Sequence, residues 1–314
     1  MKSVISFFQL HDRYLLLTHR RPDGDTLGSA SALCAGLRSL GKTAYVWRNP
    51  EITPRHLPFV APFFPPDGFI HETAVAVDTA AGSMLPIGIP AGVIDFRIDH
   101  HPGVSPFANE TYTDPGAAAC GEVVFDLLAA LGAPLTADIA ANLYIALSTD
   151  TGLFRYSNTT AKTHRIASAL IAAGADHHAL NAIFFGKTQS RVEIEKTILA
   201  GLRFGFGAAV ASLSLAERGG ATEDDLEDIT SLVQNIEGVS AGFLLREEAG
   251  YWRVSCRTTG AVEANAICKL LSDGGGHRHA AGGRIPGNLS SDEARKIVLD
   301  AYLSVYPEAR DKQC

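Results

Sequence analysis

The sequence predicts an α/β protein. A parallel-sheet N-terminal domain would span residues 1–186, a linker helix 187–204, and a smaller α+β domain 205–314. Three observations predict this. A length of 314 residues corresponds to about two domains of typical size. In the first two-thirds, short apolar runs alternate with longer helical patterns, the signature of βαβ units around a parallel sheet. Near residue 186 the composition shifts through the polar stretch Lys187 to Lys196, and the alternation after it differs.

The elements follow in order. Tyr14 to Thr18 is an apolar run of buried-strand length. Leu27 to Leu40 has helical spacing and closes on Gly41 in the C-cap role. Thr43 to Trp47, Ala74 to Val77 and Val93 to Ile98 are further strands. Gly121 to Leu131, Ala137 to Leu147 and Lys162 to Ala173 are helices, the last ended by Gly174. Thr188 to Leu202 is the connecting helix. Beyond it come a strand at Ala208 to Leu215, a helix from Thr222 to Ile236 opened by a Thr222/Asp225 pair resembling a capping box, and a hairpin of Ala241 to Arg246 with Tyr251 to Arg257. A helix at Ala264 to Leu271, a glycine run and a helix at Asp292 to Val305 complete the chain.

Composition bounds the function. With 46% hydrophobic and 19% charged residues the chain is globular. A net charge of −7 argues against attachment to nucleic acid or membrane by bulk positive charge. It leaves room for a small phosphate-bearing ligand held at one concentrated site. The apolar stretch Val4 to Phe8 is too short for a signal peptide, and no uninterrupted apolar run reaches about 18 residues. The five cysteines, Cys34, Cys120, Cys256, Cys268 and Cys314, are scattered without a C-x-x-C pair and read as free thiols. A soluble cytoplasmic protein is expected.

The chemistry is concentrated where the predicted strands end. The first delivers His19, Asp23 and Asp25 within seven residues, on a Pro22-Gly24 turn leading into a helix. Gly24 is expected to let the chain double back so that both carboxylates face one point. Alone, an acid such as Asp25 at the start of a helix complements its dipole; three such groups on one turn point to a site. The next strand ends in Asp78, the third in Asp99-His100-His101, and the helix ending at Leu147 leads to Asp150 at a turn. Jointly, His19, Asp23, Asp25, Asp78, His100 and Asp150 form an oxygen-rich set with two imidazoles and no cysteine. That inventory suits two divalent cations about 3.5–4 Å apart, the centre that activates water and stabilises the attacking and leaving oxygens at phosphorus.

The order H-x-x-P-D-G-D-x-x-G-S, a strand-end Asp, D-H-H and D-T-G across residues 19–152 resembles the DHH phosphoesterase superfamily. Gly274-Gly275-Gly276-His277-Arg278-His279-Ala280-Ala281-Gly282 is similar to the G-G-G-H-x-x-A-A-G motif of its associated C-terminal domain. Two-domain members of this size are of the nanoRNase type, oligoribonucleases and phosphatases of adenosine 3′,5′-bisphosphate. The resemblance implies that the six residues carry two metals, usually manganese, with magnesium or cobalt as substitutes. It makes Asp78 the bridge, has Asp99 orient the histidines, and assigns His101 to the scissile phosphate. Two departures concern local loops: Pro102-Gly103-Val104-Ser105 where relatives commonly carry an Asn, and Cys120 where they often have Ser or Thr.

In the second domain, glycine amides can bind phosphate oxygens beside His277. Ser255-Cys256-Arg257 is similar to a Ser-x-Arg of the family that binds a terminal phosphate, for which a guanidinium fork is suited. The substrate contacts expected are therefore Arg257, Gly275, Gly276, His277 and Asn265. Residues 240–314 carry ten Lys/Arg against nine Asp/Glu, too little excess for a long polyanion. The expected arrangement is a ruler, with one domain cutting while the other grips the far phosphate across an interdomain cleft. Short RNA oligonucleotides or a nucleoside bisphosphate are the expected substrates, cyclic di-AMP or linear pApA the alternative, and a homodimer is compatible with the resemblance. A nucleotide-binding regulator would show a lost ligand, and none of the six is missing. A dinucleotide-binding oxidoreductase would need a G-x-G-x-x-G after the first strand, which is absent.

Overall fold

Tyr14-Leu15-Leu16-Leu17 offers almost nothing to water, and in the computed structural model it becomes a strand inside a parallel sheet. The structure describes residues 2–89, 94–102, 106–226, 229–234 and 236–311. Two compact units divide the chain, residues 1–186 and 187–314.

The first unit holds β1 (Tyr14–Leu17), β2 (Ala44–Val46), β3 (Thr73–Val77), β4 (Phe96–Asp99) and β5 (Glu110–Thr113), all parallel in the order β2-β1-β3-β4-β5. Alternate residues of the strands face opposite ways. Leu16, Val75, Val77, Phe96 and Ile98 pack with α1 (Lys2–Leu10), α2 (Gly24–Ser39), α4 (Cys120–Leu131) and α5 (Ala137–Asp150) in one core. Leu17, Ala74 and Ala76 lie in another with the loop residues Leu85 and Ile94. The short α3 (Leu57–Val60) follows β2; α6 (Ala161–Ala172) and α7 (His177–Phe185) close the unit.

In the second unit the sheet runs β10-β11-β9-β8-β7-β6, from β6 (Arg203–Gly205), β7 (Ala208–Leu213), β8 (Ala241–Glu248), β9 (Tyr251–Thr258), β10 (Ser272–Gly276) and β11 (Ala280–Pro286). Among the described residues, β7–β8 is the one parallel pair of this sheet. One face packs on α11 (Ala264–Cys268) and α12 (Ser291–Val305), with Phe243, Leu245 and Val254 against Ile267, Val298 and Tyr302. On the other, Leu213 and Leu244 meet Ile194 and Ile198 of α8 (Gln189–Ala200) and a 3-10 turn at Ile229–Val233. The helix expected as a linker is thus packed into this unit's own core.

Several expectations change. The Val4 to Phe8 stretch is part of α1, whose Phe7 ring lies 4.5 Å from that of Phe96. Strands β5 and β6 and helix α7 were not expected. Where one helix was expected from Thr222 to Ile236, the described residues hold the short α10 (Glu223–Leu226) and the 3-10 turn, with positions 227, 228 and 235 outside the described residues; Thr222 and Asp225 do exchange the reciprocal capping bonds, and a short α9 (Leu215–Arg218) precedes them. The glycine run is not a loop: Gly274, Gly275 and Gly276 form the end of β10. Asp150 is the last residue of α5 rather than part of a turn beyond it. Val93, Gly103 to Ser105 and Cys314 lie outside the described residues.

Candidate metal centre

The expected metal set gathers at the C-terminal edge of the first sheet. β1 runs into His19, β3 into Asp78, and β4 ends in Asp99 before His100 and His101. Asp23 and Asp25 stand at the start of α2, and Asp150 ends α5. Open parallel sheets bind ligands at this edge, where the strand order reverses. Here that point lies between β1 and β3, adjacent in space although β2 separates them along the chain.

Glycines bring the two helices together. A Cβ on Gly24 would stand 2.5 Å from the Thr149 side chain, and one on Gly28 2.4 Å from the Asn142 carbonyl oxygen. Gly24 is not among the positive-φ glycines, so its service is close approach to α5, not a reversal of the chain. The acid that starts α2 is Asp23, which accepts from the amides of Asp25 and Thr26 at 3.1 Å. Asp25 turns inward instead and accepts from the amides of Cys120 and Gly121 and from the Ser29 hydroxyl.

Both imidazoles are set by carbonyls, which only accept. His19 Nδ1 donates to Arg20 O at 2.9 Å and His100 Nδ1 to Ala117 O at 3.2 Å. Each therefore turns Nε2 toward carboxylates: His19 Nε2 lies 3.6 Å from Asp23 and 3.9 Å from Asp78. His100 Nε2 lies 3.6 Å from Asp78 and 3.8 Å from Asp25 and from Asp150. The two oxygens of Asp78 divide between them, Oδ2 toward His19 and Oδ1 toward His100. Three groups have ligand atoms within 4.8 Å of one another: His19, Asp23 and Asp78; Asp25, His100 and Asp150; and Asp78, Asp99, His100 and His101.

The electrostatics are those of acids crowded together. Burial, then the charges of Asp25 and Asp23, holds Asp78 well above the usual carboxylate range. Burial and Asp25 do the same to Asp150, and burial raises Asp25 against the pull of His100. Burial opposes but does not overcome the Asp23 carboxylate, which raises His19. Asp78 is 3% exposed, and its Oδ1 has no hydrogen-bond partner. An orphaned carboxylate oxygen among mutually repelling acids and Nε2 atoms turned inward is a donor set that fits divalent cations.

Asp99 is differently placed. Its Oδ1 accepts from the amides of His100 and His101 and from His101 Nδ1 at 2.6, 2.9 and 2.7 Å, and its Oδ2 from Nε and Nη2 of Arg97. Burial would raise it, but the bond from His101 and the charges of His101 and Arg97 bring it down to about 2. Arg97, 4% exposed, was missed in the sequence because a charged residue inside an apolar strand run looks like an outward-facing one. His56 was missed too: it is buried at 3%, bonds Thr53 Oγ1 through Nδ1, and helps to acidify Asp23. No spacing motif marks it. Arg155 and Tyr156 brace the turn after α5, the guanidinium bonding Gly152 O and the ring filling the space beside Gly152.

In the second unit, Arg257 on β9 pairs with Ala280 on β11, beside the turn where His277 N bonds Ala280 O. Asn265 lies in the first turn of α11 next to Ala264, whose amide bonds Arg278 O in that turn of the chain, and Asn265 Oδ1 is buried without a hydrogen-bond partner. The glycines differ. A Cβ at Gly274 would meet Cys268 O at 1.7 Å and Gly276 has φ +138, whereas Gly275 faces open space. Four cysteines, Cys34, Cys120, Cys256 and Cys268, are free and buried. Among the described residues no helix is long and apolar enough to cross a membrane.

Comparison with known proteins identifies the family. The model of the DHH family N-terminal domain matches residues 13–147, and that of the DHHA1 domain residues 206–303. The chain is 35% identical to the Thermus thermophilus protein named bifunctional oligoribonuclease and PAP phosphatase NrnA, over 91% of this chain and 88% of that one. It is 28% identical to the Bacillus subtilis protein of the same name, over 95% and 96%. Its fold matches the crystal structure of an exopolyphosphatase-related protein from Bacteroides fragilis with a TM-score of 0.87, at 24% identity and covering 99% and 97% of the two chains. The protein belongs to the DHH family of phosphoesterases and carries the DHHA1 domain that accompanies it.

Proposed function

We propose that the protein is a manganese-dependent phosphoesterase that degrades short oligoribonucleotides to nucleoside monophosphates and dephosphorylates adenosine 3′,5′-bisphosphate. The observation that carries this reading is Asp78, a buried carboxylate whose two oxygens address two separate ligand groups. That is the arrangement a bridging ligand needs. His19 and Asp23 would hold one cation beside Asp78, and Asp25, His100 and Asp150 the other. The names of the Thermus and Bacillus relatives support the choice of substrates.

A pair of divalent cations in such a set supplies Lewis acidity toward phosphoryl oxygens and an acidified water as nucleophile. The protein supplies position. His101, its ring oriented by the bond between Nδ1 and Asp99, would contact a phosphoryl oxygen of the substrate. Arg257 would grip a terminal phosphate with its guanidinium fork, and the open Gly275, with Gly276 and His277, would offer amides and a ring donor beside it. Asn265, with its buried unsatisfied oxygen, would accept from the sugar or base. The near balance of charge over residues 240–314 supports short substrates rather than a long polymer. Oxygen ligands with two imidazoles suit manganese, and also magnesium or cobalt. Buried free thiols support a reducing compartment such as the cytoplasm.

The test is a substrate panel with manganese: RNA from dinucleotide to pentamer, adenosine 3′,5′-bisphosphate, linear pApA and cyclic di-AMP. Turnover of the short RNAs and of the bisphosphate is expected. Cleavage confined to cyclic di-AMP or pApA would replace this reading with the dinucleotide one.

A further inference from the structure

We propose that Arg97 is a positioning residue, which keeps Asp99 out of the metal-ligand set and thereby fixes His101 for the substrate. The inference rests on the two-metal reading above and goes beyond it, because no motif of the site includes Arg97. Asp99 lies among the ligand atoms of Asp78, His100 and His101, close enough to join them. A carboxylate has about four lone-pair positions. Asp99 uses its Oδ1 on the amides of His100 and His101 and on His101 Nδ1, and its Oδ2 on Arg97 Nε and Nη2. Five donors leave it no lone pair for a cation.

Arg97 does more than pair with Asp99. Nε also donates to Thr79 O at 2.8 Å, Nη1 donates to Thr113 Oγ1 at 3.3 Å, and the guanidinium lies 5.7 Å from the Phe107 ring centre. Thr79 follows Asp78, whose φ of +52 turns its carboxylate into the site. One buried guanidinium thus fastens the turn that carries Asp78, the end of β4 and the end of β5. Without the bond to Oδ2, Asp99 could rotate, release His101 Nδ1 and compete as a ligand. A lysine would keep the charge, but a single ammonium cannot reproduce the planar fork.

The test compares wild type with Arg97→Lys in three measurements: dinucleotide kinetics, Mn2+ binding to metal-stripped protein by calorimetry, and thermal melting in chelator. Residues that orient metal ligands typically change affinity or activity by about 10–100-fold when altered. We expect kcat to fall by about that factor with KM within about threefold, and one Mn2+ site to change in affinity about tenfold. Melting should shift by only a few degrees. A lower melting temperature with kcat and the Mn2+ isotherm unchanged would reduce Arg97 to a structural ion pair and overturn the inference. If Arg97→Lys fails to fold, Thr113→Val loosens one guanidinium contact. It should lower kcat by about threefold at constant KM, and unchanged kcat would again overturn the inference. A wild type that binds Mn2+ but hydrolyses nothing in the panel would refute the proposed activity; the Mn2+ isotherm of the variant would still decide the role of Arg97.

Discussion

The carboxylate of Asp25 caps the helix that begins at Cys120, accepting the Cys120 amide at 2.7 Å and the next amide, of Gly121, at 3.0 Å. Anionic groups are favoured at helix N-termini, where amides lack partners. The contact therefore runs through backbone, and the side chain at position 120 takes no part in it. The thiol donates to Ile98 O, at 3.7 Å. Cys120→Ser should keep activity within about twofold and melting within a few degrees, as steady-state kinetics and a melt would show. A large loss would mean that the thiol itself serves the site.

Asp78 separates activity from stability. Asparagine keeps the polar shape and tolerates the left-handed backbone at φ +52, while it removes a charge that burial and the neighbouring acids disfavour. Asp78→Asn should lose at least about a thousandfold in kcat, yet in chelator it should melt no lower than wild type. Retained turnover would remove Asp78 from the centre.

Gly28 governs how closely α2 and α5 lie, and so how far Asp25 stands from Asp150. An added methyl would sit 2.4 Å from Asn142 O and 2.9 Å from Ala146 N, both backbone atoms that cannot move aside alone. Gly28→Ala should cost about 1–3 kcal/mol, in the range of overpacked cores, and lower activity further than melting alone explains. Chemical denaturation alongside kinetics measures both.

The parts of the site legible in the sequence were those written in strands and their ends. Tyr14 to Leu17 and Ala74 to Val77 are apolar runs of strand length, and Phe96 to Ile98 is one interrupted only by Arg97, so buried strands were the natural outcome, and acids just beyond such strands are conspicuous. β5, Glu110–Thr113, is a partly exposed edge strand with no apolar pattern, and hydrogen bonding to β4 alone decides its form. The glycine run has little strand propensity of its own and is drawn into β10 by β11. Arg97 and His56 act through neighbours from other parts of the chain, Asp99 and Thr113 for one, Phe184 and Asp23 for the other.

Glu195, in the second unit, gives a separate pH dependence. Burial would raise its carboxyl, but bonds from Lys187 and Arg191, the latter at 2.9 Å, lower it below its ordinary value. A carboxylate whose folded pKa is depressed stabilises fully above its unfolded pKa, about 4.3, and loses that contribution as pH falls through the folded value. Lys187 is half exposed, which weakens its share. Glu195→Gln should therefore destabilise by about 1 kcal/mol at pH 7, with the difference from wild type vanishing near pH 3 in denaturant titrations.

Arg257→Ala should raise KM about tenfold or more for substrates with a terminal phosphate, with little change in kcat. An artificial phosphodiester that lacks such a phosphate is the control. An equal loss on that control would show that Arg257 does not serve as a terminal-phosphate grip.

Asp150 at the end of α5 also sets the order in which the centre can be assembled during synthesis. A growing chain that has passed α4 already carries His19, Asp78 and His100 beyond three strands and Asp23 and Asp25 at the start of α2, and Asp25 can already cap Cys120. The second ligand group closes only when α5 emerges and docks on α2 through Gly24 and Gly28. Contacts so distant along the chain form late. Full metal loading therefore waits for α5, and a chain cut before Asp150 keeps three intact motifs but not the complete centre.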